Sequence, residues 1–155
     1  PAMNNPKPIL VGITGHDFRD LRVEIDHVYN LIKILQDSYP DVNIRFETTK
    51  NAFRRCLWPN GIQEAPIQLE GEICLRKGEH ILEIRCSSGS VFGPQPFLAI
   101  KTLDGHYIHD NFDFQTDSWT YVFNPHTVPI SRIEAIGVAS NDQYGNCSVI
   151  KPRII

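Results

Sequence analysis

A chain of 155 residues can hold one well-packed core, or one and a fraction, and two full domains would be a squeeze. Apolar residues make up 41% and charged residues 21%, near the globular average and far from the low-apolar, highly charged signature of disorder. With 15 Lys and Arg against 18 Asp and Glu, a formal charge of -3 and no clustered basic run, neither nucleic acid nor an anionic lipid surface is an expected partner.

The longest apolar stretches, residues 8–13 and 28–35, fall short of a membrane span, and no secretory leader pattern opens the chain, so a soluble protein with no membrane partner is expected. Pro1-Ala2-Met3 reads as a remnant in front of a chosen start and is set aside. Cys56, Cys74, Cys86 and Cys147 are widely spaced, without a CxxC or a Cys/His ligand pair. Scattered thiols read most simply as small buried hydrophobes in a reducing compartment, which favours a cytoplasmic location. A single disulfide among them stays open, because connectivity is not readable from spacing.

The expected fold class is α+β, with a short βαβ unit at the N-terminus (residues 6–58) followed by a mainly antiparallel β-sandwich (residues 62–155). Ile9-Leu10-Val11-Gly12-Ile13 is a continuous apolar run of strand length, the kind that needs cover on both faces. A polar loop follows, in which Asp20 is a candidate helix cap. Leu21, Ile25, Val28, Leu31, Ile32 and Leu35 then recur at three- and four-residue steps, one apolar stripe of a helix that Pro40 stops. Residues 42–46 resume as a strand, and residues 49–57 form a second short helix.

From the turn Trp58-Pro59-Asn60-Gly61 onward the pattern changes to short β runs. Residues 67–75 and 80–86 alternate apolar with polar around Arg76-Lys77-Gly78-Glu79, a hairpin signal. Residues 97–103, the Asp104-Gly105 turn and residues 107–109 make the next pair, and residues 119–123, 133–140 and 147–150 supply further strands. One physical difficulty attends this layout. A two-strand parallel unit with one or two helices cannot close a core alone, so either the β body or a missing N-terminal part of a parent chain must cover it.

Ile9-Leu10-Val11-Gly12-Ile13-Thr14-Gly15-His16-Asp17, with the helix behind it and the strand at 42–46, resembles the last strand, helix and strand of the polysaccharide deacetylase (NodB-like) catalytic barrel. His16-Asp17-Phe18-Arg19-Asp20, Phe92-Gly93-Pro94-Gln95-Pro96-Phe97 and His109-Asp110-Asn111-Phe112-Asp113 resemble runs in deacetylase-like proteins that carry a β region after the barrel. The resemblance implies that His16 is the late histidine of that family, the general acid for the leaving amine, a task suited to a group that titrates near neutrality. It further implies that the divalent metal and its aspartate and histidine ligands belong to earlier strands of a full-length parent. No cofactor is expected in this chain, which should be inactive alone. The competing reading makes His16 a polar loop residue at a strand-to-helix handover, and Asp17 and Asp20 helix-start residues.

A second cluster comprises His106, Tyr107, His109, Asp110, Asn111, Asp113, Asp117 and Trp119. Oxygen-bearing side chains in a loop suit a hard cation, and a flat aromatic beside polar groups suits a sugar face, so Tyr107, His109, Asp110, Asp113 and Trp119 are candidate carbohydrate contacts. The spacing does not match an EF-hand, no metal site is assigned, and such stretches between strands are also ordinary turns. Phe92, Phe97, Phe112, Phe114, Tyr121 and Phe123 are assigned to the core by default. The stretch 141–146 is either a recognition loop or a long hairpin connection. No Walker loop, GxGxxG, GxSxG or HExxH is present. Three functions are therefore expected to compete: the closing part of a deacetylase-like carbohydrate-active protein, a carbohydrate-binding sandwich, and an interaction domain with no small-molecule site.

Overall fold

The computed structural model describes residues 7–15, 20–62, 65–115 and 118–154, with the side chains of residues 114 and 115 left aside. The chain is α+β and divides into two units, Pro1–Ile62 and Gln63–Ile155. His16, Asp17 and Asp117 lie outside the described residues.

In the first unit, helix α1 spans Arg22–Ser38. Its N-cap residue is Leu21, not the expected Asp20, and makes no side-chain cap bond; one residue earlier the Asp20 carboxylate accepts the Arg22 backbone N–H at 3.1 Å and holds the Arg22 guanidinium, whose hydrogen bonds keep the carboxyl below its ordinary range. Tyr39 N–H closes the last turn on Leu35 O at 2.9 Å, and Pro40 prevents continuation. Helix α2, Thr49–Leu57, is capped by Thr48, whose hydroxyl accepts the Asn51 N–H. Glu47 pairs with both Arg45 and Arg55, at 2.6 and 3.0 Å.

The two strands expected on either side of α1 are not formed: residues 9–13 and 42–46 pair with nothing in a sheet. None of the described residues of this unit is buried, and Ile9, Val11, Ile25, Leu31 and Leu35 are all exposed. A parallel pair is stable only with apolar cover on both faces, and no described residue of this unit reaches that degree of burial.

The second unit is an antiparallel β-sandwich. Strands β1 (Gln68–Arg76), β2 (Glu79–Ser88), β5 (Asp113–Gln115) and β6 (Ser118–Phe123) form one sheet in the order β1-β2-β6-β5. Strands β3 (Phe97–Thr102), β4 (Tyr107–Asp110), β7 (Ile133–Asn141) and β8 (Cys147–Ile150) form the other in the order β4-β3-β7-β8. The hairpin between β1 and β2 turns on Lys77 and Gly78, both at positive φ, the conformation that a two-residue type I′ turn demands. Strand β5, absent from the sequence expectations, has three residues, too few to show a period.

Alternation decides the core. Leu69 and Ile73 of β1, Leu82 and Ile84 of β2 and Trp119, Tyr121 and Phe123 of β6 are buried from one side. Leu98 and Ile100 of β3 and Ile136 and Val138 of β7 are buried from the other. Leu82, Ile84, Leu98, Ile100 and Val138 lose all measurable exposure, each worth about 1.5–3 kcal/mol over leaving it in water. The four thiols are free, and among the described residues no helix is long and apolar enough to cross a membrane.

Gly71 lets the sheets approach. A Cβ there would lie 2.6 Å from Ile84 Cδ1 of the same sheet and 2.8 Å from Ile150 Cδ1 of the other. Gly137, by contrast, faces open space. Gly71→Ala should therefore lose about 1–3 kcal/mol in urea denaturation. Gly137→Ala should stay within about 0.5 kcal/mol of the parent or gain slightly. Equal effects at the two positions would mean that the sheet spacing does not depend on Gly71.

Candidate functional site

The β3–β4 hairpin carries the cluster that the sequence marks, and its turn is pinned by polar contacts. The Thr102 hydroxyl donates to Asp104, and the Thr102 and Gly105 N–H groups donate to His106 O and Thr102 O, each at 2.9 Å. His106 Nδ1 and Arg132 Nη2 each lie 3.2 Å from Asp104 Oδ2. The Thr102 hydroxyl first and His106 second hold the Asp104 carboxyl at about 2, so it remains an acceptor through the acidic range. His106 is accordingly a turn residue.

Beyond the turn, alternation sends the candidate residues to opposite faces. Tyr107 and His109 point outward, opposite Lys101 and Ala99 of β3. Tyr107 is 77% exposed. The His109 ring stacks on Phe97 with centroids 4.3 Å apart and planes 11° apart. Its Nδ1 lies 3.0 Å from Leu98 O, and a carbonyl only accepts, so Nδ1 carries the proton and Nε2 is the acceptor of the neutral ring. Phe97, assigned to the core from sequence, is instead 52% exposed on this outer face.

Between the rings the sheet is smooth. Ala99 pairs with Gly137, Lys101 with Ala135 and Phe97 with Ala139, so Ala99 of β3 and Ala135, Gly137 and Ala139 of β7 make an outward floor with no side chain longer than a methyl group. The register shift at Lys101/Thr102 turns Glu134 outward, where it accepts from Lys101 Nζ at 2.6 Å. The result is a flat apolar strip edged by Phe97, His109 and Tyr107 and closed at one side by a neutralised ion pair.

The other candidates lie elsewhere. Asp110 points inward: Tyr121 Oη of the opposite sheet donates to its Oδ2 at 2.9 Å, and the Asn111 N–H donates to its Oδ1 at 2.8 Å. Burial, reinforced by this bond, raises the Tyr121 phenol to about 12. Asp113 starts β5 in the other sheet, and its carbonyl accepts from the Thr120 hydroxyl. Trp119 is 7% exposed, with its indole N–H donating to Pro94 O at 2.9 Å, so its faces pack in the core and cannot stack on a ligand. Gln95 bridges these pieces, accepting the Phe112 N–H at 2.8 Å and donating to Asn111 Oδ1 at 2.7 Å.

Five residues grouped by sequence thus separate into an outward pair on β4, the inward Asp110 and Trp119, and an exposed Asp113 in the other sheet. The sequence signal that identifies the missing partner is Phe97 itself, an aromatic at the odd position of a strand whose even positions, Leu98, Ile100 and Thr102, are buried. Among the described residues no group of three His, Cys, Asp or Glu is placed to hold a metal ion. The chain matches no family model, no curated protein and no solved structure at a significant level. The deacetylase resemblance therefore rests on the quoted motifs, and function has to be argued from geometry.

Trp119→Ala should cost about 3–5 kcal/mol of stability, because it empties a core position. Tyr107→Ala should cost less than about 0.5 kcal/mol. Urea denaturation of the two variants checks the assignment of one ring to packing and the other to the surface, and a severe loss at Tyr107 would reverse it.

Proposed function

We propose that the chain is the closing part of a carbohydrate-active protein of the polysaccharide deacetylase type, with the first unit completing a larger α/β core and the sandwich serving as an appended recognition region. The observation that carries this reading is the first unit's apolar surface. Its helix has a regular stripe, residues 9–13 are a continuous apolar run and Val42, Ile44 and Phe46 alternate with polar side chains, yet no described residue there is buried. Apolar runs of that kind are stable when neighbouring strands and helices cover them, as they would be at the end of a barrel. His16, at the end of the first run, would then face the substrate as the acid that protonates the leaving amine. The metal that activates water would come with the earlier strands of the parent.

The test uses the full-length product of the gene that encodes this chain, beside the 155-residue chain itself. Acetate release from an acetylated oligosaccharide is expected from the longer protein and not from the shorter one. His16→Ala in the longer protein should lower kcat by about a hundredfold or more. Amides of α1 should exchange slowly with solvent only in the longer protein. An upstream region that leaves α1 unprotected and releases no acetate would sink the proposal.

A second reading is favoured by a separate observation, the strip edged by Phe97, His109 and Tyr107. A sugar ring offers one face of C–H groups, and exposed aromatic rings over a smooth floor are what such a face packs on. On this reading the sandwich is a carbohydrate-binding module in its own right. Titration with oligosaccharides should show binding that Tyr107→Ala weakens about tenfold, the effect of losing one ring contact. Unchanged affinity in that variant would remove the strip from consideration.

A further inference from the structure

At one end of the sandwich, the connection from β2 to β3 faces the connection from β7 to β8 across a shallow cleft of about 220 Å³. Ser90, Val91 and Phe92 form one wall, Gln143 and Tyr144 the other, and Ile67 the floor. None of these residues belongs to the outer strip, so the site is independent of both readings above.

The cleft is built rather than incidental. Asp142 is buried, and its carboxylate accepts the Tyr144 N–H at 2.9 Å, the Asn146 N–H at 2.8 Å and the Asn146 side-chain amide at 2.7 Å. Its backbone N–H donates to Asn146 O at 3.1 Å, and the Gly145 N–H returns to Asp142 O at 3.1 Å. The second wall is tied to the first, because the Phe92 N–H donates to Asn141 O at 2.8 Å. Gly89, at φ +80°, lets its chain lie directly on Ile67, where a Cβ would come within 2.9 Å of Cγ2. Walls held by their own hydrogen bonds need no ordering when a ligand arrives, which removes a main cost of binding.

The chemistry of the lining narrows the ligand. Phe92 stands 65% exposed on this fixed loop, a ring face kept in water where the core had no need of it. Ser90 and Gln143, also exposed, bring a hydroxyl and a carboxamide. Among the described residues no Lys, Arg or His lines the cleft, and the lining offers no cation to draw a phosphate or carboxylate. Among the described lining residues the charged group is the Asp142 carboxylate, which already has three N–H donors and disfavours a second anion. A ligand with one apolar face, hydroxyl groups around its rim and no charge fits this set. At about 220 Å³ the cleft lies below the range of about 300–1,000 Å³ for drug-sized ligands, room for one ring rather than a chain segment. We propose that it binds a single neutral sugar residue, free or at the end of a glycan.

The experiment is a titration of the ¹⁵N-labelled 155-residue chain with glucose, galactose and N-acetylglucosamine up to tens of millimolar, with glucuronate and inorganic phosphate in parallel. At least one neutral sugar should shift the amides of Gly89, Val91, Tyr144 and Asn146, while the two anions leave them in place. Phe92→Ala and Gln143→Ala should each weaken that response, the former about tenfold, while Tyr107→Ala leaves it unchanged. Shifts confined to Phe97, Tyr107 and His109 would overturn the cleft and support the outer strip instead. Silence toward all three neutral sugars, a preference for glucuronate or phosphate, or a response untouched by both cleft variants would overturn it as well.

Discussion

The sandwich depends on one constraint: each strand must turn alternate side chains toward the facing sheet. Leu82 and Ile84 on one side and Leu98, Ile100 and Val138 on the other are completely withdrawn from water. A one-residue slip of any of these strands would put the whole buried set into solvent, so this packing fixes register wherever it occurs. The polar contacts follow the same rule. Asp110 can reach Tyr121 across the sandwich only because both occupy inward positions of their strands, and Asp104 can bind the Thr102 hydroxyl only because the β3–β4 turn places them two residues apart.

Alternation was also what made the second unit legible from sequence. Ile67 to Leu75 and His80 to Cys86 show the period of two, and the structure forms strands there, joined through Lys77 and Gly78 at positive φ. Residues 9–13, a continuous apolar run, and residues 42–46, where Val42, Ile44 and Phe46 alternate with Asn43 and Arg45, form no strands for a physical reason. Such patterns record that a segment is suited to apolar cover, and carry no information on whether that cover is at hand. Helix α1 of the same unit was legible because its signals are local: the three- and four-residue spacing of the apolar stripe and the stop at Pro40 need no distant partner.

The candidate cluster was misgrouped because proximity along the chain was taken for proximity in space. Between Tyr107 and Trp119 the chain leaves one sheet for the other, with Phe112 buried on the way. Applying the period of two inside the cluster sorts it correctly. Tyr107 and His109 share a face that Asp110 does not, and Trp119, Tyr121 and Phe123 form one buried row. Side-chain chemistry nominated the residues, and strand geometry determines which of them a ligand can touch.

What remains unburied after folding is informative because the two units leave such different surfaces. The sandwich buries a full inner layer and still presents Phe92, Phe97 and Tyr107 to water from positions held by strand pairing or by loop hydrogen bonds. Rings fixed in solvent on a rigid frame add little to stability, and a flat partner can pack on them without reorganising the protein. In the first unit Ile9, Leu10, Val11, Ile13, Ile25, Leu31, Leu35 and Phe46 are exposed, a surface too extended for a single ring to shield. The proposed contacts therefore rest on surfaces of different kinds, single rings fixed on strands or loops in the sandwich and a broad apolar surface in the first unit.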